Sequence, residues 1–497
     1  MEKLTPSLEE NLRTFRELFH APENQDFVVR ELEPGGVRLA VLCIDGMASR
    51  RNIESAVLRP LMNAPPFGSL PPETRAQALL DKVLPTGTGE TEERVQNIAE
   101  FLLDGNCAVL IDGCAQAVLA ETQGYDTRSV NQPLIENTAF ASHEAFNESL
   151  RTNLTLLRRI LRTPDLVAEM HNIGATSSTK VALVYLSGVT SRKLIAECRR
   201  RLGGIGIDRL LSIGQLQQLI EDNPRQLLPQ IVQTERPDRT ASFLTDGMAV
   251  VLCDGAPHAL AMPGTFWTFL HTPDDHALRW QYGSFLRIVR VLGFFLALPA
   301  LYNALLLYHQ ELLPMDLLTS ILEGYTLVPL SVTLELFLMD FVFDLINEAS
   351  LRMPGDMGNA LGIVGGLVLG QAAVSANLIS PLLIIIVSVA GLGLFSVPSY
   401  PLSLALRIAR LFLLLASALA GFAGIAVALA LLLCAGCAME SFGTPYFAPA
   451  VPAMRHNGDL FWRFPERWQQ KRPGMAHPQK PRRTSAPRGW EKGGEKP

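Results

Sequence analysis

The chain has 497 residues, 48% apolar and only 18% charged, with a net charge of −5 and a mean hydropathy of +0.20. It is too long for one small domain, and its charge content lies below the about 25% of an average globular chain. Two charge-free stretches, 50 residues between Asp356 and Arg407 and 29 between Arg410 and Glu440, exclude a wholly soluble protein, because a helical membrane span needs about 20 apolar residues. The slightly acidic balance gives no reason to expect a nucleic-acid partner. Seven scattered cysteines, odd in number, argue against a disulfide scaffold. Residues 1–30 are polar and mixed in charge, so no signal peptide is expected.

After an N-terminal tail (1–17), the chain repeats itself at an offset of 142 residues. Leu39 to Arg50 falls on Val181 to Arg192, matching Ala40, Gly46, Ser49 and Arg50 with Ala182, Gly188, Ser191 and Arg192. Phe101, Asp104 and Gly105 meet Phe243, Asp246 and Gly247, and Val109 to Gly113 meets Val251 to Gly255. Two related subdomains are predicted, 18–140 and 141–275. Each has a β-rich run (39–44, 181–186), a Ser-Arg turn and a helix-like segment (51–62, 191–202). Two short strands joined at Asp112-Gly113 or Asp254-Gly255 follow. Between the halves, 147–162 reads as an Arg-rich amphipathic helix. The expected fold class is α/β or α+β, twice over, followed by an all-α polytopic membrane domain.

The repeated Asp-Gly pairs read as turn chemistry, with Gly supplying φ > 0, in preference to a cation or phosphate site. Arg50 and Arg192 read as salt-bridge partners before anion ligands. Cys434 and Cys437 form a CxxC inside an apolar run and read as buried small hydrophobes. No Walker lysine, GxGxxG, HExxH or GxSxG pattern occurs, so no enzyme, metal site or cofactor is expected.

The membrane domain is placed at 276–447. Candidate spans are 286–308, 316–347 (interrupted at Pro329), 358–375, 377–397 (with Pro381 as a kink) and 408–438. Arg279, Arg287 and Arg290 before the first span place the soluble domain in the cytoplasm. The tail, 448–497, is Pro- and Gly-rich; from Arg455 it has 11 basic and 4 acidic residues, and it is expected to be largely disordered and near anionic lipid. Both flanks thus read as cytoplasmic, which five segments do not satisfy. Either one is re-entrant or 316–347 divides at Pro329.

Two features in this region are candidate sites. Glu335, Asp340, Asp344 and Glu348 are acids in an apolar setting, the last three on one helix face. They suit a cation pathway, or alternatively an amphipathic interfacial helix. Gly358, Gly362, Gly366 and Gly370, with Gln371 beside them, form a small-residue stripe suited to close helix packing or to a narrow pore.

Several stretches resemble the GerA-type spore germination proteins. In the soluble part these are Thr163 to Glu169, Thr179 to Tyr185, Thr234-Glu-Arg-Pro-Asp238 and Thr272 to Asp275. In the membrane part they are Glu348-Ala-Ser-Leu-Arg-Met-Pro354, Leu361 to Val374, Ser399 to Leu402, Ser441 to Tyr446 and Arg472-Pro473. The resemblance covers about 20–475. It departs at Asn137 to Phe146, which lacks the arginines and proline that the family often carries there. It implies an A-type subunit of a nutrient germinant receptor in the inner membrane of the endospore, multi-pass, with its N-terminal domain facing the spore core. It implies a transporter-like B subunit and a lipoprotein C subunit as partners, homo-oligomerisation, and conduction or gating of cations. An accessory SpoVAF-like role, a secondary transporter and a non-conducting scaffold are the alternatives.

Overall fold

The computed structural model describes residues 3–64, 70–84, 89–124, 132–133, 136, 138–293, 297–325, 328–352, 368, 370–454, 459–460 and 462–483. The first repeat contains α1 (Leu8–Leu18), β1 (Phe27–Leu32), β2 (Leu39–Ile44), α2 (Arg50–Asn52) and α3 (Arg59–Met62), then α4 (Pro72–Lys82), β3 (Gly89–Glu92), α5 (Val95–Leu103), β4 (Cys107–Ile111) and β5 (Ala117–Ala120). A π-helical stretch, Ile53–Leu58, joins α2 to α3. The second repeat contains α6 (Leu150–Ile160), β6 (Leu166–Ile173), β7 (Thr179–Leu186), α7 (Arg192–Gly203) and α8 (Ile213–Ile220), then β8 (Val232–Thr234), α9 (Pro237–Thr245), β9 (Ala249–Cys253) and β10 (Ala259–Met262).

The two sheets have one topology. Their strand orders are β1-β2-β4-β5-β3 and β6-β7-β9-β10-β8, antiparallel throughout. Even the register repeats: Leu39 faces Ile111 and Val181 faces Cys253, each residue shifted by 142. Helices cover both faces of each sheet, so β2, β4, β9 and β10 are buried along their whole length. Burial on both faces explains why these strands read as continuous apolar runs instead of alternating.

The Asp-Gly turns do more than reverse the chain. Asp112 Oδ1 accepts from Leu8 N at 3.2 Å, and Asp254 Oδ1 accepts from Leu150 N at 3.1 Å. Gly113 N donates to Pro6 O at 2.8 Å and Gly255 N to Glu148 O at 2.7 Å. Ser7 and Ser149 accept one further orphan donor at the start of each helix. Both glycines hold φ near +80°, which a side chain would strain. The Arg-rich segment 147–162 is therefore no linker: it contains α6, the counterpart of α1. Unlike α1, α6 is enclosed between the repeats, where buried Arg158 reaches Asp26 at 2.8 Å.

The remaining helices are α10 (Pro273–Ala277), α11 (Trp280–Leu292), α12 (Leu298–Tyr308), α13 (Met315–Tyr325), α14 (Val332–Arg352), α15 (Pro381–Phe395) and α16 (Tyr400–Cys437). The candidate span 286–308 divides between α11 and α12, with Pro299 in the first turn of α12. The stretch 316–347 divides around Pro329 into α13 and α14, as expected. Pro381 opens α15 instead of kinking it, because its missing N–H is an orphan at that position anyway. Most of 358–375 lies outside the described residues.

The 38-residue segment α16, two helical stretches joined at Ala420–Gly421, is long and apolar enough to cross a membrane, and only 17% of its most apolar 18-residue window is buried. Such exposure is foreign to a soluble core helix, and the chain is a membrane protein. Cys434 and Cys437 are exposed on this helix, not buried. Their run is apolar without being enclosed by the rest of the chain. A break at Ala420 and Gly421 interrupts α16, where Gly421 lies against the Tyr308 ring. Tyr308 Oη donates to Ala418 O at 2.7 Å, satisfying a carbonyl beside the break.

The tail departs from the expected disorder over 462–483. Met475 and Ala476 enter the core of the second repeat, and buried Arg463 donates to Asp275 O and Leu278 O. Composition predicts an unfolded segment, but an existing core accepts its few apolar residues and backbone acceptors take its arginines.

Removing either turn carboxylate should cost about 1 kcal/mol, the usual cost of a lost helix cap. In Asp254→Ala the amides opening α6 should exchange faster with solvent deuterium, while those opening α1 are unchanged; Asp112→Ala should do the reverse.

Candidate functional site in the membrane helices and at their junction

Helix α14 carries all four candidate acids, and α16 supplies their counter-charges. Asp340, fully buried, lies 3.1 Å from the equally buried Arg410. Asp344, partly exposed, lies 3.3 Å from Arg407. Rising numbers on α14 meet falling numbers on α16, so the helices run antiparallel here. With its amide oxygen turned to Arg407, Asn347 accepts at 2.6 and 2.9 Å. Glu335, also buried, accepts from Ser380 N at 3.2 Å and from Tyr325 Oη at 3.4 Å. Glu348 is exposed one turn beyond Asp344. The shared face of Asp340, Asp344 and Glu348 thus runs from a buried ion pair to solvent.

The pairing is incomplete. Asp340 Oδ2, Arg410 Nε and Nη1 and Glu335 Oε1 are buried without a hydrogen-bond partner among the described residues. Groups of this kind are costly in a low-dielectric interior and mark places where ions, water or a rearrangement act. A second polar link ties three helices together: Thr333 donates to Asn303 at 2.8 Å and Asn303 to Ser417 at 2.9 Å.

Of the glycine stripe, Gly358, Gly362 and Gly366 lie outside the described residues. Gly370 is half-buried with open space where a Cβ would stand, and Gln371 is exposed. Close helix approach occurs elsewhere, at Gly393, where an added Cβ would come within 2.0 Å of Gly293 O.

An ionic junction joins these helices to the second repeat. Buried Asp275 accepts from Arg287 Nε at 3.0 Å and Arg290 Nη1 at 2.8 Å, both on α11. Arg287 also reaches Asp459, which lies 3.3 Å from His276. His271 contacts Leu460 O at 3.1 Å. Burial alone would raise the Asp275 carboxyl, but Arg290 and Arg287 outweigh it and hold it at about 2. Burial, aided by Arg287, pushes His271 down to about 4.

Sequence reasoning found the acids but not Arg407 and Arg410, although these two bound the charge-free stretches. Their signal was available: two arginines one turn apart in an apolar helix require carboxylate partners. Asp275 closes a Thr272-x-x-Asp275 capping box, but nothing local marks His271 or Asp459, and the three become a site only through the fold.

The family description "Bacillus/Clostridium GerA spore germination protein" matches residues 13–475, nearly the whole chain. The chain belongs to the GerA family. Among its relatives, Spore germination protein KA of Bacillus subtilis (strain 168) is 33% identical over 476 residues, covering 95% of this chain and 87% of that one. The membrane protein YfkQ of the same organism is 30% identical over 475 residues, covering 95% and 91%. A crystal structure of the N-terminal domain of the A subunit of the Bacillus megaterium spore germinant receptor GerK3 is also similar. It has 28% identity and a TM-score of 0.42, covering 53% of this chain and 98% of that one.

Asp340→Ala leaves Arg410 buried without a counter-charge and should destabilise the chain by about 3–5 kcal/mol, whereas Asp340→Leu combined with Arg410→Met should recover most of that loss. Thermal unfolding in detergent reads both. At the junction, His271 is protonated more readily in the unfolded chain, near pH 6.5. Its contribution is therefore complete above that value and is lost as pH falls toward about 4. The melting temperature should drop between pH 7 and pH 5, and His271→Gln should flatten the drop. Asp275 contributes only to a further loss, below about pH 4.

Proposed function

We propose that this GerA-family chain is the A-type subunit of a nutrient germinant receptor. It sits as a multi-pass protein in the inner membrane of the endospore, with both repeats facing the core. Its partners in this reading are a transporter-like B subunit and a lipoprotein C subunit. Several copies assemble, and nutrient binding to a partner opens a route for monovalent cations. The observation that carries the reading is the buried, incompletely satisfied Asp340–Arg410 pair on a family-matched membrane domain. With Asp340 and Asp344 each beside an arginine, the acids are not free to receive cations in this state. The pairs hold the closed arrangement and part on opening, when Glu335, Asp340, Asp344 and Glu348 line or flank the path. The glycine stripe 358–370, with Gln371, then packs between copies or borders the path.

An accessory role in germination is the second reading. Deleting the gene in its spore-forming host and following cation release from purified spores separates the two. Loss of response to one nutrient class supports a receptor subunit; a slower response to every nutrient supports the accessory role. Asp344→Asn, chosen because Asp344 is partly exposed and the change keeps the side-chain size, should lower cation release severalfold at normal protein level. Unchanged release would remove Asp344 from the path.

A further inference from the structure

The two repeats present the same end to different segments. In the first repeat, Asp45, Gly46, Asp104 and Gly105 form that end, and the following repeat covers it. Thr155 and Arg151 of α6 lie against Gly46, Arg151 pairs with Asp45 at 2.8 Å, and Arg162 pairs with Asp104 at 2.9 Å. In the second repeat, Ser187, Gly188, Asp246 and Gly247 occupy the equivalent places, each 142 residues on. No third repeat follows. The end is covered instead by the C-terminal segment. Arg483 pairs with Asp246 as Arg162 does with Asp104. Pro478 lies against Gly247, and Lys480 lies over Gly188. Gln479 N donates to Val189 O at 2.8 Å, and its side-chain amide donates to Thr190 O at 2.5 Å.

The segment is shaped as a ligand. Residues 471–482 fold back on themselves around Arg472, which donates to Lys480 O, Arg482 O and Thr245 O at 2.8, 2.7 and 2.6 Å. Its hold on the repeat is mainly polar, with Met475 and Ala476 as its buried apolar contribution. A surface patch fastened by few apolar contacts belongs to the part of a structure that opens most easily. Burial pushes the Asp246 carboxyl up, and Arg483 is the cation that opposes this.

We propose that the end of the second repeat, around Ser187–Thr190 and Asp246–Gly247, is a binding site for a basic, proline-containing peptide, occupied reversibly in this chain by its own residues 471–483. The site is the repeat's docking end, re-used to fasten the chain after the last membrane helix to the cytoplasmic domain. Its release frees the second repeat from that strap. The proposal stands apart from the ion path and does not depend on it.

The test uses the chain truncated after Gln470 in detergent and a fluorescent synthetic peptide of residues 471–485. Binding should saturate, and the peptide carrying Arg483→Ala should bind at least tenfold more weakly. Absence of binding to a folded truncated chain, or equal binding by the Arg483→Ala peptide, overturns the proposal. If truncation abolishes folding, hydrogen exchange in the full-length chain decides. Asp246→Asn should speed exchange over 474–483 at least tenfold, and Asp104→Asn should not; unchanged exchange in Asp246→Asn refutes the site.

Discussion

Asp275 is the constraint on which the arrangement of this molecule depends. Its carboxylate is wholly buried and shared by Arg287 and Arg290, while its backbone oxygen accepts from Arg463. Three parts of the chain therefore meet at one residue: the second repeat, the first helix of the membrane part and the C-terminal segment. A buried carboxylate with two guanidinium partners has few alternative places to go. Removing either partner leaves uncompensated charge, so the junction behaves as one unit. The apolar core reinforces this, since Leu394, Leu402 and Leu406 of the membrane helices join the core of the second repeat. A displacement in α15 or α16 is thus felt directly at that sheet, whereas the first repeat meets the second through α6 and through His20, Asn24 and Gln25 at the start of β6.

The tandem architecture was legible because its determinants are local. Asp-Gly pairs, Ser caps and fully apolar strands leave their mark within a few residues, and one offset aligned them. What the sequence concealed was which helix each Asp-Gly pair caps, since Asp112 serves Leu8 across 104 positions. The π-helical stretch at Ile53–Leu58 was equally invisible, because it has no compositional signature. Over 462–483 the tail differs from expectation for another reason. Disorder inferred from composition presumes that a segment must build its own core, and 462–483 borrows one.

The membrane site was half legible. Acids in an apolar helix are conspicuous, and their spacing gave the face correctly for Asp340 and Asp344. Their partners lie on α16, some 60 to 70 positions away, beyond the reach of any periodicity. Finding Arg407 and Arg410 changes the chemistry of the site. Unpaired acids would attract cations permanently; paired acids do so only when the pairing is broken. In the function proposed above, a site of the second kind is closed by default and needs work from elsewhere to open.

In that reading the work has a structural route. The α14–α16 pairs lie on the same long helix whose start, through Leu402 and Leu406, enters the core of the second repeat. Among the described residues Asp340 and Arg410 are each short of hydrogen-bond partners, so their pairing is held mainly by Coulomb attraction in a low-dielectric setting. Such attraction falls steeply once water enters, because screening then replaces the partner. A modest shift of α16 that admits water between the helices would thus lower the cost of separating the charges at the moment it separates them. The break at Ala420–Gly421 confines this to the first half of α16. Beyond it, Ile425 and Ala428 pack against Ala300 and Ala304 of α12, while the half carrying Arg407 and Arg410 is tied to the core of the second repeat through Leu402 and Leu406 and to α12 through Ser417.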